Sequence, residues 1–208
     1  MADSSKGYII GIEGIDAVGK HTQSSLLSSW LSGNGFKTAS MSFPDYVTVI
    51  GKEIRAFLSR ERNYPIELQH MLFAANRWEK SEEIESHLRS GKTLIVNRYT
   101  ESNLAYGSAK GLDIRWLKNL EEGLPKTNLV IVLDAAPQSL KARRASNSKD
   151  AYEKDSALQN KAQKVYRELA RENGWRVVDA DRPVEVVQDS LVKIVKGALA
   201  NEGKMKPG

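Results

Sequence analysis

The segment Gly14-Ile-Asp-Ala-Val-Gly19-Lys20 constrains this chain more than any other stretch of its 208 residues. It directly follows an apolar, β-branched run, Tyr8-Ile-Ile-Gly-Ile-Glu13, and opens a helical pattern that runs to about Leu31, where Gly33-Asn34-Gly35 stops it. A glycine-bounded loop between a buried strand and a helix N-terminus suits the wrapping of a bulky, triply oxygenated anion. Such a loop needs positions without side chains at its tightest turns, and Gly14 and Gly19 supply them. Ile15, Asp16, Ala17 and Val18 lie between, so that successive backbone N–H groups and the helix N-terminus face the anion. Lys20 adds a mobile full charge for the outer phosphates of a nucleotide.

This spacing matches the Walker A motif in the strand–loop–helix context that gives the match meaning, and it implies ATP with Mg²⁺ as the bound pair. The motif carries Ser or Thr after the lysine, because that hydroxyl joins the shell of a hard cation. Here the position is His21, followed by Thr22. Imidazole is a poor Mg²⁺ ligand, so Thr22 or water takes the place, or the nucleotide itself carries the metal.

Short apolar runs alternate with longer helical patterns along the rest of the chain, which is the order of βαβ units and a parallel sheet covered on both faces. Strands are expected at Tyr8–Glu13, Lys37–Phe43, Thr93–Asn97, Asn128–Asp134 and Trp175–Asp179. One long helix is expected from Pro65 to about Leu88, with Leu68, Met71, Leu72, Ala75 and Trp78 at helical spacing. Further helices follow Arg98, Asp113 and Pro137, and two more span Ser156–Glu172 and Pro183–Leu199. No linker or repeat interrupts this pattern, so residues 1–200 are expected to form a single α/β domain and residues 201–208, with Gly203 and Pro207, a frayed tail.

Composition bounds the function classes. A net charge of +5 fits either nucleic acid or a polyanionic small substrate. The basic residues are dispersed, and the densest group (Lys141, Arg143, Arg144, Lys149, Lys154) is interleaved with Asp150 and Glu153, which argues against a nucleic-acid partner. No apolar run is long enough to cross a bilayer, and Met1–Lys6 lacks the apolar core of a signal peptide, so a cytoplasmic protein without a membrane partner is expected. With no cysteine, a disulfide, thiolate metal site or cysteine nucleophile is excluded.

Three further segments accompany the loop: Phe43-Pro44 after the second strand, Leu72-Phe-Ala-Ala-Asn-Arg-Trp-Glu79 on the long helix, and Asn97-Arg-Tyr-Thr-Glu-Ser-Asn-Leu-Ala-Tyr106 after the third strand. In this order and spacing they resemble the thymidylate kinases, P-loop nucleoside monophosphate kinases, from about residue 8 to 195. The resemblance implies a five-stranded parallel sheet of order 2-3-1-4-5 with helices on both faces. It also implies transfer of the γ-phosphate of ATP to thymidylate (dTMP), giving ADP and dTDP, in a homodimer.

Phe73 and Arg77 are four residues apart, so they project from one helical face. By resemblance they stack on the pyrimidine and hydrogen-bond its carbonyl, although core packing and an ion pair with Glu82, Glu83 or another carboxylate are the plain alternatives. By the same resemblance Arg98 grips the acceptor phosphate, Ser102 and Asn103 flank the thymine edge, Tyr106 crowds the sugar 2′ position and Asp16 takes the 3′-hydroxyl. Phe43 and Pro44 border the same site. Residues 143–154 resemble a mobile lid, with Arg144 first and Lys149 second as its catalytic cation beside Arg143. Asp179–Arg182 matches the loop near the adenine, where Arg182 joins the ATP contacts.

Three positions depart from the family pattern. His21 replaces the metal-binding hydroxyl, Asn97 replaces an aspartate, and Tyr46 replaces an arginine near the acceptor phosphate. The first two predict a rearranged Mg²⁺ shell, with Thr22 as a ligand and Glu13 acting through water. They also leave open a related deoxynucleoside or deoxypyrimidine monophosphate kinase, or a nucleotide-binding protein impaired in catalysis.

Overall fold

The computed structural model of the chain describes residues 7–143 and 150–205, without the side chains of 141–143. Five strands, β1 (Tyr8–Glu13), β2 (Thr38–Ser42), β3 (Thr93–Asn97), β4 (Leu129–Asp134) and β5 (Arg176–Asp179), form one sheet. Their order is β2-β3-β1-β4-β5 and every pairing is parallel. β1 and β3 are buried along their whole length because helices cover both faces, and so they carry no polar alternation. The edge strands β2 and β5 are only partly covered, which is why their apolar signal in the sequence is weaker.

Helices α1 (Lys20–Gly33), α2 (Val49–Leu58), α3 (Ile66–Trp78), α4 (Ser81–Arg89), α5 (Thr100–Ala109), α6 (Ile114–Glu121), α7 (Pro137–Arg143), α8 (Ala151–Lys154), α9 (Ser156–Asn173) and α10 (Val184–Asn201) complete the described chain. The largest apolar cluster joins Ile10, Ile12, Leu27, Ile131, Tyr166 and Leu191. A smaller one on the other face joins Ile9, Phe43, Ile84, Leu94, Val96 and Tyr99. At about 25 cal/mol per Å² of apolar area removed from water, these clusters are the main force holding helices to sheet. No helix among the described residues is long and apolar enough to cross a membrane.

The helix expected from Pro65 to Leu88 is two helices, broken at Glu79–Lys80. α3 turns His70, Ala74, Asn76 and Arg77 inwards, whereas α4 buries Ile84 against the sheet. One straight rod could not bury both faces, and no Gly or Pro marks the break. Helix α2 was not expected. Thr48 caps it by accepting from the Gly51 N–H at 3.0 Å, and Ile54, Phe57 and Leu58 form its buried face. Fraying does not begin at residue 201: the chain turns at Gly203 and sets Met205 against the core, and residues 206–208 lie outside the description.

Candidate active site

The carboxyl ends of β1 and β3 bring Glu13 and Asn97 to one crevice, where ligands of open parallel sheets bind. The loop after β1 closes it. A side chain at Gly14 would place its Cβ 2.4 Å from the Leu133 carbonyl of β4, and the residue has φ 130°, so only glycine fits. Gly19, at φ 98°, turns the loop into α1. Ala17 (φ 63°) and Arg98 (φ 58°) also adopt the left-handed region that non-glycine residues avoid. Ala17 belongs to the loop and Arg98 lines the pocket beside it, while Arg60 (φ 65°) shares this conformation outside that pocket.

Lys20 folds back into the loop and donates to the carbonyls of Gly14 at 3.0 Å and Ile15 at 2.7 Å. Burial in the crevice and the neighbouring Arg98 cation pull its pKa down to about 7. Asp16 pairs with Arg98 and accepts from Gln159 Nε2 at 2.6 Å and the Tyr106 hydroxyl at 3.4 Å. Burial raises the pKa of Asp16, but Arg98, Lys20 and the Gln159 bond outweigh it and hold the carboxyl below its usual value. Arg98 also lies 5.4 Å from the centre of the Tyr106 ring.

Beside this charged end lies a pocket lined by Asp16, Phe43, Pro44, Phe73, Arg77, Arg98, Ser102, Asn103 and Tyr106. Nine residues expected at the acceptor from separate segments thus converge on one cavity. Phe73 meets Phe57, His70 and Tyr152 edge-on, at centroid distances of 5.4, 5.6 and 5.9 Å. Arg77 is buried and forked onto Glu121 of α6, with its Nε 2.9 Å from Oε2. The carboxylate partner of Arg77 is therefore neither Glu82 nor Glu83. The Ser102 hydroxyl turns to Glu13, donating at 2.6 Å, rather than being held out towards a ligand.

Several residues in or against the pocket were not anticipated. Tyr152 of α8, within the stretch expected as a lid, lies over the pocket and donates to Gln69 at 2.7 Å. Gln159 of α9 accepts from the Asp16 N–H at 3.1 Å and the Tyr106 hydroxyl at 3.1 Å. It is wholly buried, and its signal was a glutamine inside the apolar stripe of Leu158, Ala162 and Tyr166. Tyr46 also lines the pocket, and the Arg55 guanidinium stacks 4.7 Å from its ring centre, so a cation does stand near the position where the family pattern has an arginine. Arg144 and Lys149 lie outside the described residues, as does the side chain of Arg143. Arg182 is exposed, pairs with Asp179 at 3.0 Å and does not line the pocket.

The expected Mg²⁺ ligands do not form a shell. Glu13 is fully buried and both its oxygens are taken, Oε1 by the Tyr99 N–H at 2.7 Å and Oε2 by the hydroxyls of Ser102 and Tyr166. It braces β1, α5 and α9. Thr22 is exposed on α1, and Asn97 Oδ1 accepts the Ser24 hydroxyl. Among the described residues no cluster of three or more His, Asp or Glu could hold an ion.

Comparison with known proteins agrees with this architecture. The thymidylate kinase family model matches residues 12–191. A thymidylate kinase from Arabidopsis thaliana is 38% identical over 201 residues, covering 96% of this chain and 75% of its own length. One from Schizosaccharomyces pombe is 36% identical, covering 97% of this chain and 98% of its own. The solved structure of the Candida albicans thymidylate kinase superposes with a TM-score of 0.83 at 31% identity, over 92% of each chain. With the loop, the pocket and the sheet order all in place, this chain belongs to the thymidylate kinase family.

Proposed function

We propose that this protein transfers the γ-phosphate of ATP to dTMP, releasing ADP and dTDP. The observation that carries this reading is the continuity of the two halves of the site. The phosphate loop with Lys20 abuts, through Asp16 and Arg98, a pocket whose far end holds Phe73, Arg77 and Asn103. An oxygen of the acceptor phosphate attacks the γ-phosphorus, and the bond from that phosphorus to the ADP oxygen breaks. Such a reaction asks for alignment and charge neutralisation rather than for a nucleophilic side chain.

In this reading Lys20 leaves the Gly14 and Ile15 carbonyls for the β- and γ-phosphates. Arg98 neutralises the acceptor phosphate, for which a planar guanidinium fork is better suited than a point charge. Asp16 takes the sugar hydroxyl, and Tyr106, packed 6.0 Å from Tyr152, walls the sugar. Phe73 stacks on the base. Arg77 commits Nε and Nη2 to Glu121, leaving Nη1 to donate to a pyrimidine carbonyl. Arg144 and Lys149 are the lid cations that close over the transferring group. The protein acts as a cytoplasmic homodimer, without nucleic acid or membrane as partner.

Mg²⁺ accompanies ATP as its counter-ion and would supply neutralising charge on the phosphates. A coupled assay of ADP release across the nucleoside monophosphates tests the reading. Preferential turnover of dTMP is expected, and equal or absent turnover of dTMP would overturn it.

The Asn97 amide offers one neutral oxygen, already bonded to Ser24. Asn97→Asp keeps that bond and adds a free anionic oxygen beside the loop. It is expected to lower the half-saturating Mg²⁺ concentration by about tenfold, in turnover and in calorimetric titration of Mg²⁺ into the ATP complex. An unchanged titration would leave the departure at Asn97 without effect on the metal.

A further inference from the structure

Behind the pocket lies a buried polar network that the transfer step itself does not use. Glu121, at the end of α6, is nearly inaccessible and faces Arg77 of α3 and Asn103 of α5. It accepts from Arg77 through both oxygens, and its Oε1 also accepts from Asn103 Nδ2 at 2.7 Å. That Nδ2 makes a second bond, of 3.3 Å, to the backbone carbonyl of His70. The Asn103 Oδ1 lies 2.6 Å from Nδ1 of His70, a side chain with no accessible surface.

This geometry leaves the Asn103 amide one orientation. A carboxylate forked by a guanidinium can only accept, so the amide atom that faces Glu121 must be the nitrogen. Oδ1 is then fixed as an acceptor, and His70 must present Nδ1–H to it. Burial lowers the pKa of His70 to about 4, more than the Asn103 bond raises it, so the ring stays neutral in this role. Oδ1 keeps a second lone pair, and Asn103 lines the pocket. Free to turn over, an amide could donate or accept equally well; held this way, Asn103 can only accept.

We propose that Glu121 is the positioning residue that sets base selectivity, by holding Asn103 as an obligate acceptor and by fixing where the Arg77 guanidinium, always a donor, is aimed. The ligand class this selects is the pyrimidine with an N3–H and a 4-carbonyl, thymine or uracil. Cytosine presents a bare N3 and a 4-amino group, and would meet acceptor with acceptor and donor with donor. This rests on the reading of the pocket as the dTMP site.

The test compares kcat/KM for dTMP, dUMP and dCMP in the parent, Glu121→Gln and Glu121→Asp. The glutamine is isosteric but can donate or accept, so it removes the stronger of the two acceptors that orient the Asn103 amide and leaves only the longer 3.3 Å bond to the His70 carbonyl to oppose its turning. The dTMP-to-dCMP ratio is expected to fall about tenfold or more in Glu121→Gln and to stay within about threefold of the parent in Glu121→Asp, which still only accepts. The dTMP-to-dUMP ratio is expected to stay unchanged in both, since those bases differ only at the 5-methyl. A merely structural Glu121 would leave both ratios where they were, and that result would overturn the proposal. A parent inactive on dTMP would instead overturn the function itself.

If the orphaned Arg77 cation prevents Glu121→Gln from folding, the pair Arg77→Gln/Glu121→Gln is read against Arg77→Gln alone, both assayed at alkaline pH so that the Glu121 carboxylate, now without its cation, stays ionised and keeps its hold on Asn103. An equal dTMP-to-dCMP ratio in those two proteins would likewise overturn the proposal.

Discussion

Arg98→Ala is expected to lower kcat/KM for dTMP by at least about a thousandfold. Arg98 is the cation that joins the phosphate loop to the acceptor pocket, through its ion pair with Asp16 and its place in the pocket lining. Its backbone holds φ 58°, a conformation that costs on the order of 1 kcal/mol or more for a residue with a side chain. The sheet maintains it by bonding the Arg98 N–H to the Ile12 carbonyl, and the result is a guanidinium aimed into the crevice. Two acceptor-phosphate oxygens can be held by that fork at once. An alanine leaves them with no full charge close by, in a site from which water must be kept.

The same substitution strands Asp16. Its carboxyl is held below the usual range chiefly against burial by Arg98 and Lys20, so the alanine variant should bind a proton there at higher pH than the parent does. The parent's stability from this group is present above the unfolded pKa and is lost as pH falls through the lowered folded value. In Arg98→Ala that loss moves to higher pH. Arg98→Lys separates the effects: it keeps a charge beside Asp16 but lacks the fork, and activity should remain at least about a hundredfold below the parent. Steady-state kinetics on dTMP with urea unfolding at two pH values decide the matter. A loss in Arg98→Ala of less than about tenfold would remove Arg98 from the acceptor phosphate.

Why some parts of this molecule were legible in the sequence and others were not follows from the range of the interactions. β1, β3 and β4 are central parallel strands, and burial on both faces writes them as continuous apolar runs. The phosphate loop is a local object whose glycines answer to local geometry. The break between α3 and α4 left no such mark. It arises because Arg77 must reach Glu121, 44 residues away, while Ile84 must reach the sheet. Helix α2 carried a capping threonine and a buried Ile54-Phe57-Leu58 face, both readable in principle, but its short pattern is overshadowed by the longer helices beside it.

The site shows the same division. Residues proposed to present a side chain to a ligand sit in recognisable local segments: Lys20, Phe73, Arg77, Arg98, Asn103 and Tyr106. The residues that hold them in place come from elsewhere in the chain. Gln159, Glu121 and Tyr152 are 143, 44 and 83 residues from the partners they bond, Asp16, Arg77 and Gln69. Polar residues on amphipathic helices look solvated until the fold supplies a partner. Glu13 is the reverse case: its position beside the loop suggests metal, whereas the three donors that make it a brace come from Tyr99, Ser102 and Tyr166 and are brought to it only by the fold.

Lys20→Met is expected to lower kcat by roughly a thousandfold while leaving the empty protein at least as stable as the parent near neutral pH. Among the described residues Lys20 has no carboxylate partner within hydrogen-bonding range, only the carbonyls of Gly14 and Ile15, and it faces Arg98. Burial, then Arg98, brings its pKa from 10.5 to about 7, despite the opposing pull of Asp16, Glu13 and Glu153. Between those two values the unfolded chain holds a proton that the folded chain has released. Stability from this group therefore rises with pH across the window from about 7 to 10.5, and its full cost is present below about 7. Methionine keeps the length of the side chain and removes that cost, so the slope across the window should flatten in urea unfolding. Bound phosphates reverse the balance by favouring the ammonium form. At about pH 8 the parent should take up a proton when ATP binds and the methionine variant should not, a difference read by calorimetry in two buffers of unlike ionisation heat. Equal proton uptake in the two proteins would mean that Lys20 is already fully charged in the empty loop, and a kcat within about tenfold of the parent would remove it from the transferring phosphate.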